Sequence, residues 1–224
     1  MYMYYMQIGM IAGSYKPFHS GHFECIKLAA SECDEVHLFV SLSDRKRPGE
    51  VPIFGKDMEK IWHEELEKIL PQNVLVSYGG SPIQQILKEI GDASKSYTEN
   101  TYIIYTDAED LAKNFNEDIL QKYAGWLYGF GQLKLRDTSS TRGESEERSG
   151  TAMRKFIEDN DKESFINNMP PGVDGDKIWN LLRSRVVIPD QKITKKKKAS
   201  ESIEVLLKSL IKETVSHKLR RAFF

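Results

Sequence analysis

Met10-Ile11-Ala12-Gly13-Ser14-Tyr15-Lys16-Pro17-Phe18-His19-Ser20-Gly21-His22 joins an apolar run to a helical pattern through one short turn. Upstream, Tyr5 to Ala12 is apolar and stops at Gly13, as a buried strand does. Downstream, Gly21 to Ser31 places Phe23, Ile26, Leu28 and Ala30 at helical spacing. A strand that turns straight into a helix is the first half of a βαβ unit, and the rest of the chain repeats it.

Val36 to Leu42 reads as a second strand, and Met58, Ile61, Trp62, Leu66, Ile69 and Leu70 form a helical stripe stopped by Pro71. Val74 to Tyr78 is a third strand and Ile83 to Ile90 a third helix. Tyr102 to Tyr105 is a fourth strand, followed by a helix from about Asp110 to Tyr123, and Gln132 to Leu135 a fifth. Helical pattern returns from Ser149 to Ile157 and from Asp174 to Val186. This alternation predicts an α/β fold, a Rossmann-like parallel sheet of five or six strands with helices on both faces. Such sheets bind ligands beyond the carboxyl ends of their strands, at the switch in strand order. The loops after strands one, four and five are therefore where chemistry is expected.

With 224 residues, 40% apolar and 29% charged, the composition is that of a globular protein. The net charge of -1 is unevenly spread. From Val187 onward ten Lys/Arg face four Asp/Glu, a net of +6, which leaves -7 for residues 1–186. We therefore divide the chain into a body, 1–186, and a basic tail, 187–224. The tail runs through Pro189 and the cations Lys195 to Lys198 into an apolar stripe: Ile203, Leu206, Leu207, Leu210, Ile211, Val215 and Leu219. That pattern is an amphipathic helix suited to docking or to a homo-oligomeric contact. The lysine run has no interleaved aromatics, so nucleic acid is not the expected partner. Cys25 and Cys33, eight apart on one predicted helix, are about 12 Å apart along its axis, too far for a disulfide. They read as buried or half-buried thiols. No apolar run approaches membrane-spanning length and no signal-peptide pattern precedes the first strand, so a cytoplasmic location is expected. Thr138 to Arg148, polar and lacking large apolar residues, reads as a flexible surface loop and, beside a site, as a lid.

Two stretches carry the chemistry. In the first, His19 and His22 flank Gly21, so two imidazoles can converge while the backbone stays close. The helix start adds amide donors and a positive dipole end, and Lys16 adds a mobile cation. Together they form a cradle for a polyphosphate. In the second, Ser149-Gly150-Thr151-Ala152-Met153-Arg154, Ser149 or Thr151 can cap the next helix and Arg154 offers a planar fork to phosphate. Asp107 and Asp110 follow strand four. Asp107 can bind ribose hydroxyls or orient an acceptor, and Asp110 can cap the helix. Arg45, Lys46 and Arg47 follow strand two, candidates for acceptor phosphate against the plainer reading of a solvated basic loop. Trp62, Trp126 and Trp179 read as packing rather than stacking residues.

Gly13 to His22 resembles the signature of the HxGH nucleotidyltransferase superfamily, and Ser149 to Arg154 its second signature. Pro17-Phe18-His19 and the Ser-Gly-Thr-x-x-Arg form are most similar to archaeal-type nicotinamide mononucleotide (NMN) adenylyltransferases and related bacteriophage nucleotidyltransferases. The resemblance covers about residues 5 to 160 and implies transfer of AMP from ATP to a small phosphorylated acceptor, NMN first among them, with release of pyrophosphate. It implies that His19 and His22 bind the triphosphate, that Arg154 holds its β- and γ-phosphates, and that Ser149, Gly150 and Thr151 add hydroxyl and amide contacts. Gly13, Ser14, Tyr15 and Gly21 would shape the nucleotide site, and magnesium would arrive bound through the triphosphate, without protein ligands of its own. This chain departs from the family in one place. Ser14-Tyr15-Lys16 stands where archaeal-type enzymes carry Arg-Phe-Gln, and the extra cation suits a more anionic acceptor. The alternatives are a CTP-dependent cytidylyltransferase acting on a small alcohol phosphate, and a nucleotide-binding assembly protein without turnover.

Overall fold

A computed structural model describes residues 5–142 and 149–186. Residues 1–186 form one compact unit, taken by itself below. The basic linker and amphipathic helix expected in 187–224, and residues 143–148 of the expected lid, lie outside the described residues.

Five strands form one parallel sheet: β1 (Gln7–Gly13), β2 (Glu35–Ser41), β3 (Val74–Gly79), β4 (Thr101–Thr106) and β5 (Leu133–Asp137). Their order is β3-β2-β1-β4-β5. The chain winds outward from β1 through β2 to β3, then returns to the other side of β1 for β4. The switch point therefore lies between the carboxyl ends of β1 and β4.

The period-two alternation of the strands divides the core between two faces. On one face Ile11, Val36, Leu38 and Val40 pack with α1 (Ser20–Glu32), α2 (Gly55–Ile61), α6 (Gly150–Asp159), α7 (Lys162–Asn167) and α8 (Gly175–Arg183), through Phe18, Ile26, Met58, Trp62, Ile157, Phe165 and Trp179. On the other, Ile8, Met10, Phe39 and Ile104 meet α3 (Pro82–Lys95) and α5 (Glu117–Gly129) through Ile86, Ile90, Leu120 and Leu127. The two-sided sheet expected from the sequence is present, with five strands.

The structure corrects the sequence reading at several helices. The single helix expected from Asp110 to Tyr123 is two, α4 (Ala108–Asn114) and α5. The chain leaves helical geometry at Phe115 (φ -134°), whose ring is fully buried, and restarts where the Asn116 side chain accepts the Ile119 amide proton. The helix after β2 starts earlier, at Gly55, and widens into a π turn over Trp62–Leu66 and a 3-10 turn over Glu67–Ile69. Helix α7, capped by Asp161, had no counterpart in the reading. Thr138 is buried and its amide donates to the Thr106 carbonyl, while Ser139–Arg142 form a 3-10 turn, so the expected loop begins as ordered chain. Cys25 and Cys33 are both buried and neither is in a disulfide. Among the described residues, no helix is long and apolar enough to cross a membrane.

Candidate active site

The turn after β1 is built around a buried aromatic ring. Tyr15 adopts φ +49°, which side chains other than glycine rarely do, and its ring turns back over the end of β1. A Cβ at Gly13 would lie 2.4 Å from that ring, so residue 13 must lack one. The ring is 4% exposed and packs edge-on against Trp62 at 5.5 Å and His22 at 4.9 Å. Phe18 closes the same cluster, 5.1 Å from Trp62, beyond a cis Lys16-Pro17 bond. Trp62 and Trp179 thus serve as packing residues, as expected, and Trp126 stands between Tyr97 and Phe130.

His19 is the residue before the first turn of α1, extended at φ -150°, and is buried. Its backbone N–H donates to His22 Nδ1 at 3.3 Å, and the two imidazoles stack with centroids 3.6 Å apart. An accepting Nδ1 puts the proton of a neutral His22 ring on Nε2, leaving that atom a donor. The spacing of three residues, one helical turn, is what lays one ring on the other. Gly21 is buried in the same turn.

His22 forms part of the wall of a cavity of about 230 Å³ at the switch point. Gly13, Ser14 and Tyr15 line it from β1, and Thr106, Asp107 and Asp110 from β4 and the start of α4. Asp107, not Asp110, caps α4, with its Oδ1 accepting the Asp110 amide proton at 2.9 Å. Asp110 instead accepts from the Asn114 side chain at 2.7 Å. Both carboxylates still belong to the cavity wall. Its volume suits a nucleoside rather than a whole dinucleotide, given that drug-sized sites start at roughly 300 Å³.

The cations gather away from this wall, toward β2. The Lys16 side chain is 3% exposed and its Nζ donates to the Ser41 carbonyl at 2.7 Å, so it is a fixed group rather than the mobile cation expected. Burial lowers its pKa to about 8, against the opposing pull of Asp44. Arg154, 6% exposed on α6, is held from three sides. Its Nη1 donates to the Lys16 carbonyl at 2.8 Å, its Nη2 to Thr151 Oγ1 at 2.9 Å, and its Nε lies 3.0 Å from Glu50 Oε2. Gly150 permits this approach, since a Cβ there would sit 3.3 Å from Arg154 Nη1. Ser149 caps α6 by accepting the Ala152 amide proton at 3.1 Å. Each hydroxyl accepts in these bonds, so each keeps its own proton to donate.

Arg45 completes the cluster, its Nε and Nη2 donating to the two oxygens of Glu50 at 2.9 and 3.1 Å. Arg45 thus belongs to a built group, whereas Lys46 and Arg47 are exposed. The Arg45 guanidinium holds the Glu50 carboxyl below the usual carboxylate range, and burial lowers Arg154. Glu50 is absent from the sequence reading, although a signal for it exists. Pro48-Gly49 is a turn pair, Gly49 takes φ +77°, and the Glu50 amide donates to the Arg47 carbonyl. The turn folds the chain back and sets Glu50 opposite Arg45, where Arg45 and Ile53 pair as an antiparallel bridge. The lining residues Thr106, Thr138 and Cys25 were also missed.

No protein-family model matches the chain. Among solved structures it is similar to a protein assigned as a nicotinate-nucleotide adenylyltransferase from Vibrio parahaemolyticus, with TM-score 0.49 and 13% identity over 79% of this chain and 97% of that one. It is also similar to a bifunctional NMN adenylyltransferase/ADP ribose pyrophosphatase from Francisella tularensis, with TM-score 0.47 and 12% identity over 91% of this chain; it covers 57% of that protein. A third is the nicotinic acid mononucleotide adenylyltransferase of Plasmodium falciparum, complexed with NaAD, with TM-score 0.41 and 17% identity over 79% of this chain and 97% of that one.

Proposed function

We propose that the chain is a nucleotidyltransferase that moves AMP from ATP to a small phosphorylated acceptor, NMN first among the candidates, and releases pyrophosphate. The observation that carries this reading is the His19–His22 pair. It is seated at the first turn of α1, beside the cavity at the sheet's switch point. The cavity would take the nucleoside, with Asp107 and Asp110 toward its ribose hydroxyls. The helix start and the imidazoles would meet the phosphates, and Lys16, Arg45 and Arg154 would supply positive charge beyond them.

In this reading an acceptor phosphate oxygen attacks the α-phosphorus in line, the bond to the bridging oxygen breaks, and pyrophosphate leaves with that oxygen. No protein nucleophile is needed. The chain would contribute position and charge: the Nε2 proton of His22 would meet the negative charge as it grows, with the stack on His19 holding that ring in place. Magnesium would enter on the triphosphate and neutralise its charge. The ion's ligands would be mainly phosphate oxygens and water, for which a full protein cage is unnecessary.

The test is pyrophosphate release from ATP and from CTP, each against a panel of phosphorylated acceptors, for the wild type and His22→Ala. We expect turnover with ATP and a loss of at least a hundredfold in the variant, the scale of removing one preorganised charge-stabilising group. Turnover with CTP alone would move the chain to the cytidylyl reading. Near-normal turnover in His22→Ala would sink the mechanism.

A further inference from the structure

Glu50 is half-buried between two guanidinium groups and is the carboxylate on which both converge. Its Oε2 accepts from Arg45 Nε at 2.9 Å and lies 3.0 Å from Arg154 Nε, and its Oε1 accepts from Arg45 Nη2 at 3.1 Å. Two oxygens on one centre, taking three contacts from two arginines, is a pattern that a phosphate group can also make with a pair of guanidiniums. The surrounding charge explains why an anion belongs there. Arg45 and Arg47 both act on Arg154 to disfavour its charge, Lys16 is buried nearby, and Asp44 is engaged with Lys46 and the Gly55 amide. Glu50 follows Gly49 in the exposed Pro48-Gly49 turn, where Gly49 takes φ +77° and nothing packs within 4 Å of the place a side chain would fill.

We propose that Glu50 is a built-in stand-in for a phosphate group, holding Arg45 and Arg154 convergent until a polyphosphate displaces it and takes both guanidiniums. The proposal rests on the nucleotidyltransferase reading and adds a selection to it. To displace one carboxylate from two arginines, a ligand must bring more charge than the carboxylate has. A monophosphate exceeds it only narrowly, whereas a triphosphate tail brings several more negative charges and more than one phosphate group for the two guanidiniums. Glu50 therefore makes the site favour triphosphates over the monophosphates that share its nucleoside pocket.

The probes are inorganic tripolyphosphate and AMP, titrated calorimetrically into the full chain. Glu50→Gln keeps the shape and an acceptor oxygen but removes the charge. It should bind tripolyphosphate about tenfold more tightly, the scale of deleting one negative charge roughly 6 Å from a bound anion at intermediate dielectric. AMP affinity should change less than twofold, and Glu50→Asp should stay near wild type. A second measurement needs no variant: on adding tripolyphosphate to the wild type, amides of residues 48–53 should exchange hydrogen faster as the turn is released. Weaker tripolyphosphate binding by Glu50→Gln, or slower exchange in 48–53, would make Glu50 a fixed brace and overturn the proposal. Tripolyphosphate binding to neither protein, with AMP still bound, would overturn it together with the phosphate role of the cluster. Binding of neither probe to folded protein would defeat the nucleotide reading itself.

Discussion

At Gly13 the residue type is set by another residue's ring. Gly13→Ala would push a methyl to 2.4 Å from Tyr15, which cannot retreat because Trp62 and Phe18 are behind it. We expect a loss of about 2 kcal/mol or more in stability. Turnover should fall with it, since Tyr15 supports His22 edge-on; thermal melts and the pyrophosphate assay check both. Unchanged melting would mean that the ring has room to move. Arg154 makes a sharper case, because one guanidinium serves the Lys16 carbonyl, Thr151 and Glu50 at once. A single ammonium cannot reach all three. Arg154→Lys should therefore weaken tripolyphosphate binding and also lower stability by about 2 kcal/mol, the scale of losing hydrogen bonds to a buried charged group. Weaker binding with an unchanged melt would show that the side chain serves ligand alone.

Strands and amphipathic helices were legible in the sequence because each is a local apolar pattern that any burial would use. What was missed depends on tertiary contacts. The break between α4 and α5 follows from Phe115 entering the core beneath the sheet, which no local propensity announces. Asp107 and Asp110 are equally good caps as residue types, and the choice is made by where β4 ends. One link between elements has a measurable consequence. His37 on β2 is hydrogen-bonded to Glu89 on α3 and, at 2.6 Å, to Glu35, and the Glu89 bond is the main cause of its pKa rising to about 9. The folded imidazole keeps its proton up to about pH 9, whereas the unfolded one releases it near 6.5. Its stabilisation is thus whole below about pH 6.5 and is lost as pH rises through about 9. The effect should be about 2 kcal/mol after allowance for partial exposure. Denaturant midpoints for wild type and His37→Gln should converge between pH 6 and 9.5. A gap independent of pH would assign the contact to packing.

On the scale of the molecule, the sequence singled out two distant stretches that the fold brings together at the carboxyl end of β1. It did not show that the cations lie outside the lining of the cavity at the switch point, or that Lys16 and Arg154, 138 residues apart, are joined through a carbonyl. Those are products of packing α6 against the β1–α1 turn. The unit is closed by Arg185, which pairs with the buried Asp57 at 2.8 Å, and by Arg183, which donates to the Ile157 carbonyl at 3.0 Å. A chain ended after Pro189 should therefore keep its melting temperature and turnover. A loss of activity at unchanged mass would give Lys195 to Lys198 a part in the site. The Arg154 linkage also makes the apparatus bipartite. Residues 1–142 hold the histidines and the cavity, and the piece beginning at Ser149 holds the arginine, with Met153, Ile157 and Phe165 offering an apolar surface for reassociation. Cleaved within 143–148, the protein should, under the proposed function, behave as a split catalyst. Neither fragment should turn over alone, and activity on mixing should rise with the product of the two concentrations until the fragments saturate. Two partners fused to the halves would then read out their own encounter as pyrophosphate.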